Sequence, residues 1–337
     1  MYRKKLSYIY WDTTNACNLA CIHCRTEAQT NPSPNELTTN EIKSLIDQIS
    51  AYKPRAFGFD GGEPLLRKDL FEIISYVKKY GILTALVSNG TLIDKNTAKK
   101  LKNSGLDMIA VSIDGYGKTH DKIRGKDGAF DLAIQGLKNL KAVGLLAAMR
   151  ITIMKPNLKE IPDLVELAIE LGLRRVLINK VIPTGRARQN NLIIGKNEYI
   201  DVLNTVLERA KGKIEVASSD PITFKIFRKD KEIKERYGTI HNIIAGCIAG
   251  IAACHITATG DVLPCAALRE IVVGNIKEKP FEEIWEKSDI LEKLRESNNL
   301  KGKCGKCSFK HICGGCRAFA LYCKGDLFAE NPICLIS

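Results

Sequence analysis

Apolar positions recur along the chain in two alternating patterns, and the alternation predicts the architecture. Short apolar runs bounded by polar or turn residues read as strands at Ser7 to Asp12, Ala56 to Phe59, Leu83 to Val87, Met108 to Ile113, Leu146 to Ile153 and Arg174 to Val181. Between them, apolar residues return at helical spacing. Thr38 and Glu41 form a capping-box pattern ahead of Ile42, Leu45, Ile46 and Ile49. Asp69 stands where it can cap a second helix with the stripe Leu70, Ile73, Ile74 and Val77, which Gly81 ends. Further helices are expected at Asp94 to Ser104, Ala129 to Val143, Glu160 to Leu171 and Lys196 to Ala210. Strands alternating with helices imply right-handed crossovers and a parallel sheet, so the fold class is α/β, a partial (β/α)6 TIM-like barrel with an open side. Residues 1–213 are assigned to the barrel, 214–244 to a basic, irregular helical connector, and 245–337 to a cysteine-rich domain of short elements.

Composition narrows the class. The chain has 337 residues, 45% hydrophobic and 26% charged, which is enough apolar material for two domains. No apolar stretch approaches the roughly 20 residues of a bilayer span, and the start MYRKKLSYIYWD has no signal-peptide core. A membrane or exported protein is therefore not expected, and the cytoplasm is the expected location. The net charge of +13 is scattered over amphipathic patterns, with no basic stripe carrying interleaved aromatics, so nucleic acid is not an expected partner. Twelve cysteines in a reducing compartment point to metal or iron-sulfur ligation rather than disulfides. They fall in two groups, Cys17 to Cys24 and Cys247 to Cys334, with none between.

Cys17, Cys21 and Cys24 follow the first strand with the spacing C-x3-C-x2-C. Three thiolates on one tight loop can hold three corners of a cubane cluster and leave the fourth iron open to a non-protein ligand. Zinc would need a fourth ligand, and His23, adjacent to Cys24, is poorly placed to supply it. The triplet resembles that of the radical S-adenosylmethionine (SAM) superfamily, and the resemblance covers essentially the whole chain. It implies that SAM chelates the open iron and is cleaved to a 5′-deoxyadenosyl radical, with a low-potential donor such as ferredoxin or flavodoxin supplying the electron.

Other segments fall in the order that this family implies. Gly61, Gly62, Glu63 and Pro64 follow the second strand and resemble its GGEP motif, where backbone and carboxylate receive the methionine ammonium. Ser88 and Asn89, in Ser88-Asn89-Gly90, resemble the ribose-contacting segment. Ser112, in Ser112-Ile113-Asp114-Gly115, is similar to the residue that binds the methionine carboxylate, and Asp114 belongs to the same motif. Arg124 or Arg150 could supply the cation for that carboxylate, and both readings remain open. Val181 and Ile182 resemble the apolar edge under adenine. All sit at C-terminal strand ends, where a β/α barrel gathers its chemistry.

The remaining cysteines resemble the SPASM iron-sulfur extension of the same superfamily. The resemblance implies two auxiliary 4Fe-4S clusters and so three clusters in all. Cys247, Cys254, Cys265 and Cys316 would hold one, and Cys304, Cys307, Cys313 and Cys334 the other. Cys313 and Cys316 have two intervening residues where the best-known members have three, which leaves Cys316 against Cys323 open. Cys323 otherwise reads as a buried small hydrophobe, and His311 as structural. A zinc ribbon through Cys304/Cys307 and Cys313/Cys316 is the alternative chemistry. The wording around Cys17, Cys24, Cys313 and Cys334 is most similar to SPASM proteins of alternative heme and heme d1 biosynthesis. That likeness implies oxidative decarboxylation of a porphyrin substrate, for which Arg186, Arg188, Arg269 and Arg317 are candidate carboxylate partners. A maturase acting on a peptide substrate, or one associated with a tungsten cofactor, is the alternative. A non-catalytic iron-sulfur carrier would differ by filling the fourth coordination site of the first cluster.

Overall fold

The structure, a computed structural model, describes residues 4–223 and 246–335. Six strands form where the alternation places them: β1 (Tyr8–Asp12), β2 (Ala56–Asp60), β3 (Leu83–Ser88), β4 (Met108–Ser112), β5 (Leu146–Ile153) and β6 (Arg175–Lys180). They lie side by side in chain order and all parallel. The connecting helices are α1 (Thr39–Ser50), α2 (Leu70–Lys78), α3 (Lys95–Asn103), α4 (Lys118–Arg124), α5 (Ala129–Ala142), α6 (Ile161–Glu170) and α7 (Lys196–Ala210). At α1 the capping box closes in both directions, with Thr38 Oγ1 accepting from Glu41 N and the Glu41 carboxylate accepting from Thr38 N at 2.7 Å. Asp69 does not cap α2. Its carboxylate accepts instead from Arg67 Nε at 2.7 Å and from Thr39 Oγ1 at 2.5 Å, because a charged donor outcompetes a backbone amide.

Alternation along the strands sorts side chains onto two faces. Ile9, Trp11, Phe57, Phe59, Ile109, Val111, Met149, Ile151, Val176 and Ile178 are fully buried in one core cluster with the helices. The alternate positions carry Tyr8, Tyr10 and Asp12 on β1, Ala56, Gly58 and Asp60 on β2, Ala85 on β3, Ala110 and Ser112 on β4, and Ala148 and Arg150 on β5. Closed barrels fill this inner face with branched side chains, whereas here much of it is small or polar, with Leu83, Met108 and Leu146 at the strand starts and Val87 and Leu177 as its other large apolar residues. A Cβ at Gly58 would stand 2.5 Å from Tyr10 Cδ1, so the tyrosine ring occupies the room this glycine leaves.

The sheet is larger than six strands. β7 (Glu215–Ala217) pairs parallel with β6 and falls at the start of the stretch expected to be a helical connector; most of that stretch, 224–245, lies outside the described residues. β8 (Ala253–Ile256) runs parallel to β1 on its other edge, and β9 (Asp261–Leu263) and β10 (Gly274–Asn275) continue antiparallel to give one ten-stranded sheet. The cysteine-rich region thus begins as an extension of the barrel sheet. An open sheet leaves β1 with unpaired backbone groups beside a buried Ile9 and Trp11, and β8 covers them while Cys254 and Ile256 prolong the core. Helices α8 (Phe281–Lys287), α9 (Asp289–Arg295), α10 (Gly302–Lys306) and α11 (Arg317–Lys324) follow. Phe281 meets Tyr52 edge-on at 5.9 Å and stacks on Trp285 at 6.3 Å, tying α8 to the end of α1. None of the described helices is long and apolar enough to cross a membrane.

Candidate active site

Backbone hydrogen bonds shape the loop that follows β1. Cys17 N donates to Gln29 O, Gly62 N to Thr14 O and Glu63 N to Ala16 O, so the triplet and the glycine loop form one unit. Gly61 has φ +120°, and a Cβ at Gly62 would lie 2.0 Å from Ala16 O, so no other residue allows this approach. Glu36 braces the same turn by accepting from Thr14 Oγ1, Asn15 N and Ser33 N. Cys17, Cys21 and Cys24 pack together against Leu19 and Ala129. Burial and the neighbouring acidic groups push the Cys17 thiol up to about 11, and burial likewise raises Cys21. A ligated iron would supply the positive charge that turns such thiols into thiolates. Arg124 Nη1 reaches Cys21 Sγ at 3.6 Å, and Arg186 donates to Cys21 O and Ala28 O, holding the loop from below.

Several of the candidate SAM residues are tied to one another around this loop. Glu63, expected at the ammonium, is fully buried and accepts from Ser88 Oγ at 2.8 Å, Asn89 N at 2.8 Å and Leu65 N at 3.2 Å. Burial raises its carboxyl to about 7 despite these donors. It therefore fastens the Gly61-Gly62 loop, with buried Pro64 opening the short turn that follows, to the end of β3. Asn89 Nδ2 donates to Asn18 Oδ1, which joins β3 to the triplet as well. Asp114 is also fully buried, accepting from Arg124 Nη2 at 2.5 Å and Thr152 N at 2.7 Å, with His23 Nε2 at 3.4 Å. Burial alone would raise its carboxyl, and the Arg124 guanidinium, with the Thr152 amide, more than offsets that, so it is held low. Burial keeps His23 and His120 neutral, each pulled down to about 4.

Arg124 and Arg150 are separated by their partners. Arg124 is spent on Asp114 and Cys21, whereas Arg150 pairs directly with Ser112 in the β4–β5 register and has no ion pair among the described residues. Val181 packs with Ile123, Met154, Ala187 and Leu192, with Ile22 of the triplet and Ile193 against them; Ile182, the next residue, is half-buried. The residues that pattern reading did not single out are Asp12, Arg25, Asp60 and His255. Asp12 and His255 are fully buried, with Asp12 Oδ1 2.8 Å from His255 Nε2 and Oδ2 accepting from Arg269 Nη1 at 2.6 Å. Burial would raise the Asp12 carboxyl, but His255, Arg269 and Arg25 hold it well below the usual range. Arg25 pairs with Asp60. Arg25, Arg124 and Arg269 are thus paired with Asp60, Asp114 and Asp12 at these strand ends, and Arg150 is left without an ion pair among the described residues.

The C-terminal cysteines divide in space. Cys304, Cys307, Cys313 and Cys334 line one cavity of about 340 Å³ with Gly314, Gly315 and Asn331. Backbone amides point at the sulfurs, with Asn331 N to Cys304 Sγ at 3.3 Å, Gly315 N to Cys313 Sγ at 3.4 Å and Phe309 N to Cys307 Sγ at 3.4 Å. Such amides stabilise ligated thiolates. Cys247 is the thiol that electrostatically affects both Cys265 and Cys316, the latter pushed up to about 12 chiefly by burial. Cys254 is buried in the apolar core, in the same cluster as Cys316 and with Cys247 and Cys265 packed against that cluster, and burial alone raises its thiol. Cys316 is buried at the start of α11, while Cys323, expected to be buried, is exposed, because the helix turns it away from the core. No three His, Cys, Asp or Glu side chains converge on one single-ion position among the described residues. Of the arginines expected for carboxylates, Arg186 holds the loop, Arg269 pairs with Asp12, Arg317 donates to Leu327 O and Ala329 O, and Arg188 pairs with Glu270 at the surface and lies over the Tyr322 ring at 4.4 Å.

Comparison with known proteins agrees with this geometry. The radical SAM superfamily pattern matches residues 11–168, and the SPASM iron-sulfur cluster-binding domain matches residues 247–308. The chain is 37% identical to an AdoMet-dependent heme synthase of Methanosarcina barkeri over 97% of this chain and 95% of that protein. It is 32% identical to an Fe-coproporphyrin III synthase of the same organism, covering 99% and 89% of the two chains. In fold it resembles Streptococcus suis SuiB bound to S-adenosylmethionine, with a TM-score of 0.78 at 19% identity over 98% of this chain and 78% of that one. A loop of three cysteines fastened to a double-glycine turn, at the C-terminal ends of parallel strands and followed by a C-terminal region rich in cysteines, belongs with these relatives: the chain is a member of the radical SAM superfamily and carries its SPASM iron-sulfur extension.

Proposed function

We propose that this chain is a radical SAM enzyme that oxidatively decarboxylates propionate side chains of an iron porphyrin. Each side chain loses one hydrogen atom, carbon dioxide and one electron, and a vinyl group remains. The observation that carries the choice of substrate is the inner sheet face, where Ala85, Ala110 and Ala148 keep neighbouring positions of β3, β4 and β5 short and leave room for a broad flat body. The likeness to a heme synthase over nearly both whole chains supports the same substrate class.

In this reading Cys17, Cys21 and Cys24 hold the cluster that binds SAM. When bound, cluster and SAM supply the hydrogen-abstracting 5′-deoxyadenosyl radical, and the C-terminal iron-sulfur groups supply an acceptor for the substrate's electron. Arg150 and Ser112, adjacent on β5 and β4, orient the methionine carboxylate, a choice of Arg150 over Arg124 that its lack of an ion pair among the described residues supports. The Gly61-Gly62 backbone takes the ammonium, and Glu63 acts through Ser88 and Asn89 by holding the ribose-side segment in place. Val181 and Ile182 cover the adenine edge and keep water from it. Cys304, Cys307, Cys313 and Cys334 hold one auxiliary cluster. Cys247, Cys254, Cys265 and Cys316 hold the other, all four belonging to or packed against one apolar cluster. A low-potential ferredoxin or flavodoxin is the reductant.

The test is anaerobic reconstitution with dithionite, SAM and iron-coproporphyrin III, following 5′-deoxyadenosine and the loss of carbon dioxide by mass. Both are expected. Deoxyadenosine without porphyrin turnover would retain the enzyme class and remove this substrate, and crosslinking of a precursor peptide in its place would establish the maturase reading.

A further inference from the structure

The cavity of Cys304, Cys307, Cys313 and Cys334 is edged by Lys303, Lys306 and Lys310. From Ser297 to Gly325 the chain carries five lysines and one arginine and not a single carboxylate. Elsewhere many lysines are answered by acids, as in Lys78 with Asp107 or Lys277 with Glu41. Helix α10 places Lys303 and Lys306 three residues apart and so on neighbouring positions of one face; both are exposed and neither has an ion pair among the described residues. Lys310 Nζ donates only to Asn298 Oδ1, and the nearby Glu330 accepts from Lys303 N, the backbone amide, rather than from its ammonium. Lys301 pairs with Asp326. The sulfurs are served from inside, by buried Arg317 at 3.9 Å from Cys304 Sγ and by backbone amides. The outer lysines are thus left facing solvent.

We propose that this lysine-edged surface is the docking face for a small acidic one-electron carrier protein. Long-range electron transfer weakens steeply with distance, so a carrier must seat where the redox group lies nearest the surface. Three of these four cysteines, Cys304, Cys307 and Cys334, are half-buried, and the cavity they line is the one edged by the lysines. A cationic rim attracts an acidic partner, speeds encounter and sets orientation. The step is one electron passing from the reduced iron-sulfur group to the oxidised carrier, or the reverse, with no bond made or broken. The inference rests on the proposed role of these four cysteines and not on the porphyrin substrate.

The experiment uses reconstituted holoenzyme and flavodoxin as the probe. In Lys303→Glu/Lys306→Glu the Kd for oxidised flavodoxin by calorimetry should rise at least about tenfold, and its dependence on salt should flatten. The stopped-flow rate of electron exchange with flavodoxin should fall in parallel, while reduction by dithionite, which needs no docking, stays unchanged. Lys303→Gln/Lys306→Gln should give an intermediate effect and guards against misfolding. Lys277→Glu/Lys279→Glu, the same charge change on another surface, should leave the Kd near that of the parent. Equal weakening there would overturn the proposal, as would an unaltered flavodoxin Kd accompanied by a shifted cluster midpoint potential, which would mean the lysines only balance the cluster's charge. Iron content and the electron paramagnetic resonance spectrum of Cys307→Ser test the cysteine assignment separately from the Kd.

Discussion

Arg150 lies beside Ser112 across β4 and β5 with no acidic partner among the described residues, whereas Arg124 is consumed by Asp114 and Cys21. Replacing Arg150 by Ala removes a charge-assisted contact worth about 1.5–3 kcal/mol, so SAM affinity should fall about tenfold to a hundredfold, with Lys restoring part of it. Equilibrium dialysis with SAM checks this, and unchanged binding would assign the carboxylate elsewhere. Glu63 makes a prediction about pH. Its buried carboxyl keeps a proton up to about 7, while the unfolded chain releases it near 4.5. The folded state therefore binds more protons across that window, and stability falls as pH rises through it, then levels off. Glu63→Gln, which cannot ionise, should flatten this part of the melting-temperature profile of the SAM-free protein. Asp12 has the opposite sign: its lowered carboxyl contributes stability at neutral pH that is lost only in acid. Glu63, Ser88 and Asn89 were legible as a set from motif order. That Glu63 grips the other two followed from β2 and β3 being neighbours.

At the scale of elements, the loop from Thr13 to Cys24 is held by β2's glycine turn more than by its own sequence. Gly62→Ala would place a methyl 2.0 Å from Ala16 O, which neither backbone can yield to without moving Cys17. Deoxyadenosine formation should drop about a hundredfold, as expected for a misplacement near 1 Å, while circular dichroism stays close to that of the parent. The six main strands and most of the helices were readable because their periodicity is long enough to stand out. Helix α4 was not, since its sequence KTHDKIR shows no stripe, and it forms because His120, Ile123 and Arg124 are buried beneath the triplet. Strands β7 to β10 have only two to four residues each, too few for alternation to register.

The whole molecule depends on β8 closing the free edge of β1. A chain cut after residue 223 would lose β8, Phe281 and Trp285, exposing the edge beside Ile9 and Trp11. Such a chain should aggregate and fail to elute as a folded monomer in size-exclusion chromatography; a soluble, cooperatively melting product would show that the barrel stands alone. Local pattern by itself settled the alternation of strands and helices, the capping box and the cysteine triplet. Those features depend on neighbours within a few residues. Only the tertiary structure decided that Asp12 meets His255 and Arg269, that Cys316 sits near Cys247 while Cys323 faces water, and that Arg150 rather than Arg124 is left with a free charge. These depend on contacts between residues far apart in the chain. A buried charge takes whichever partner the packed sheet brings within reach, and spacing along the sequence does not record that distance.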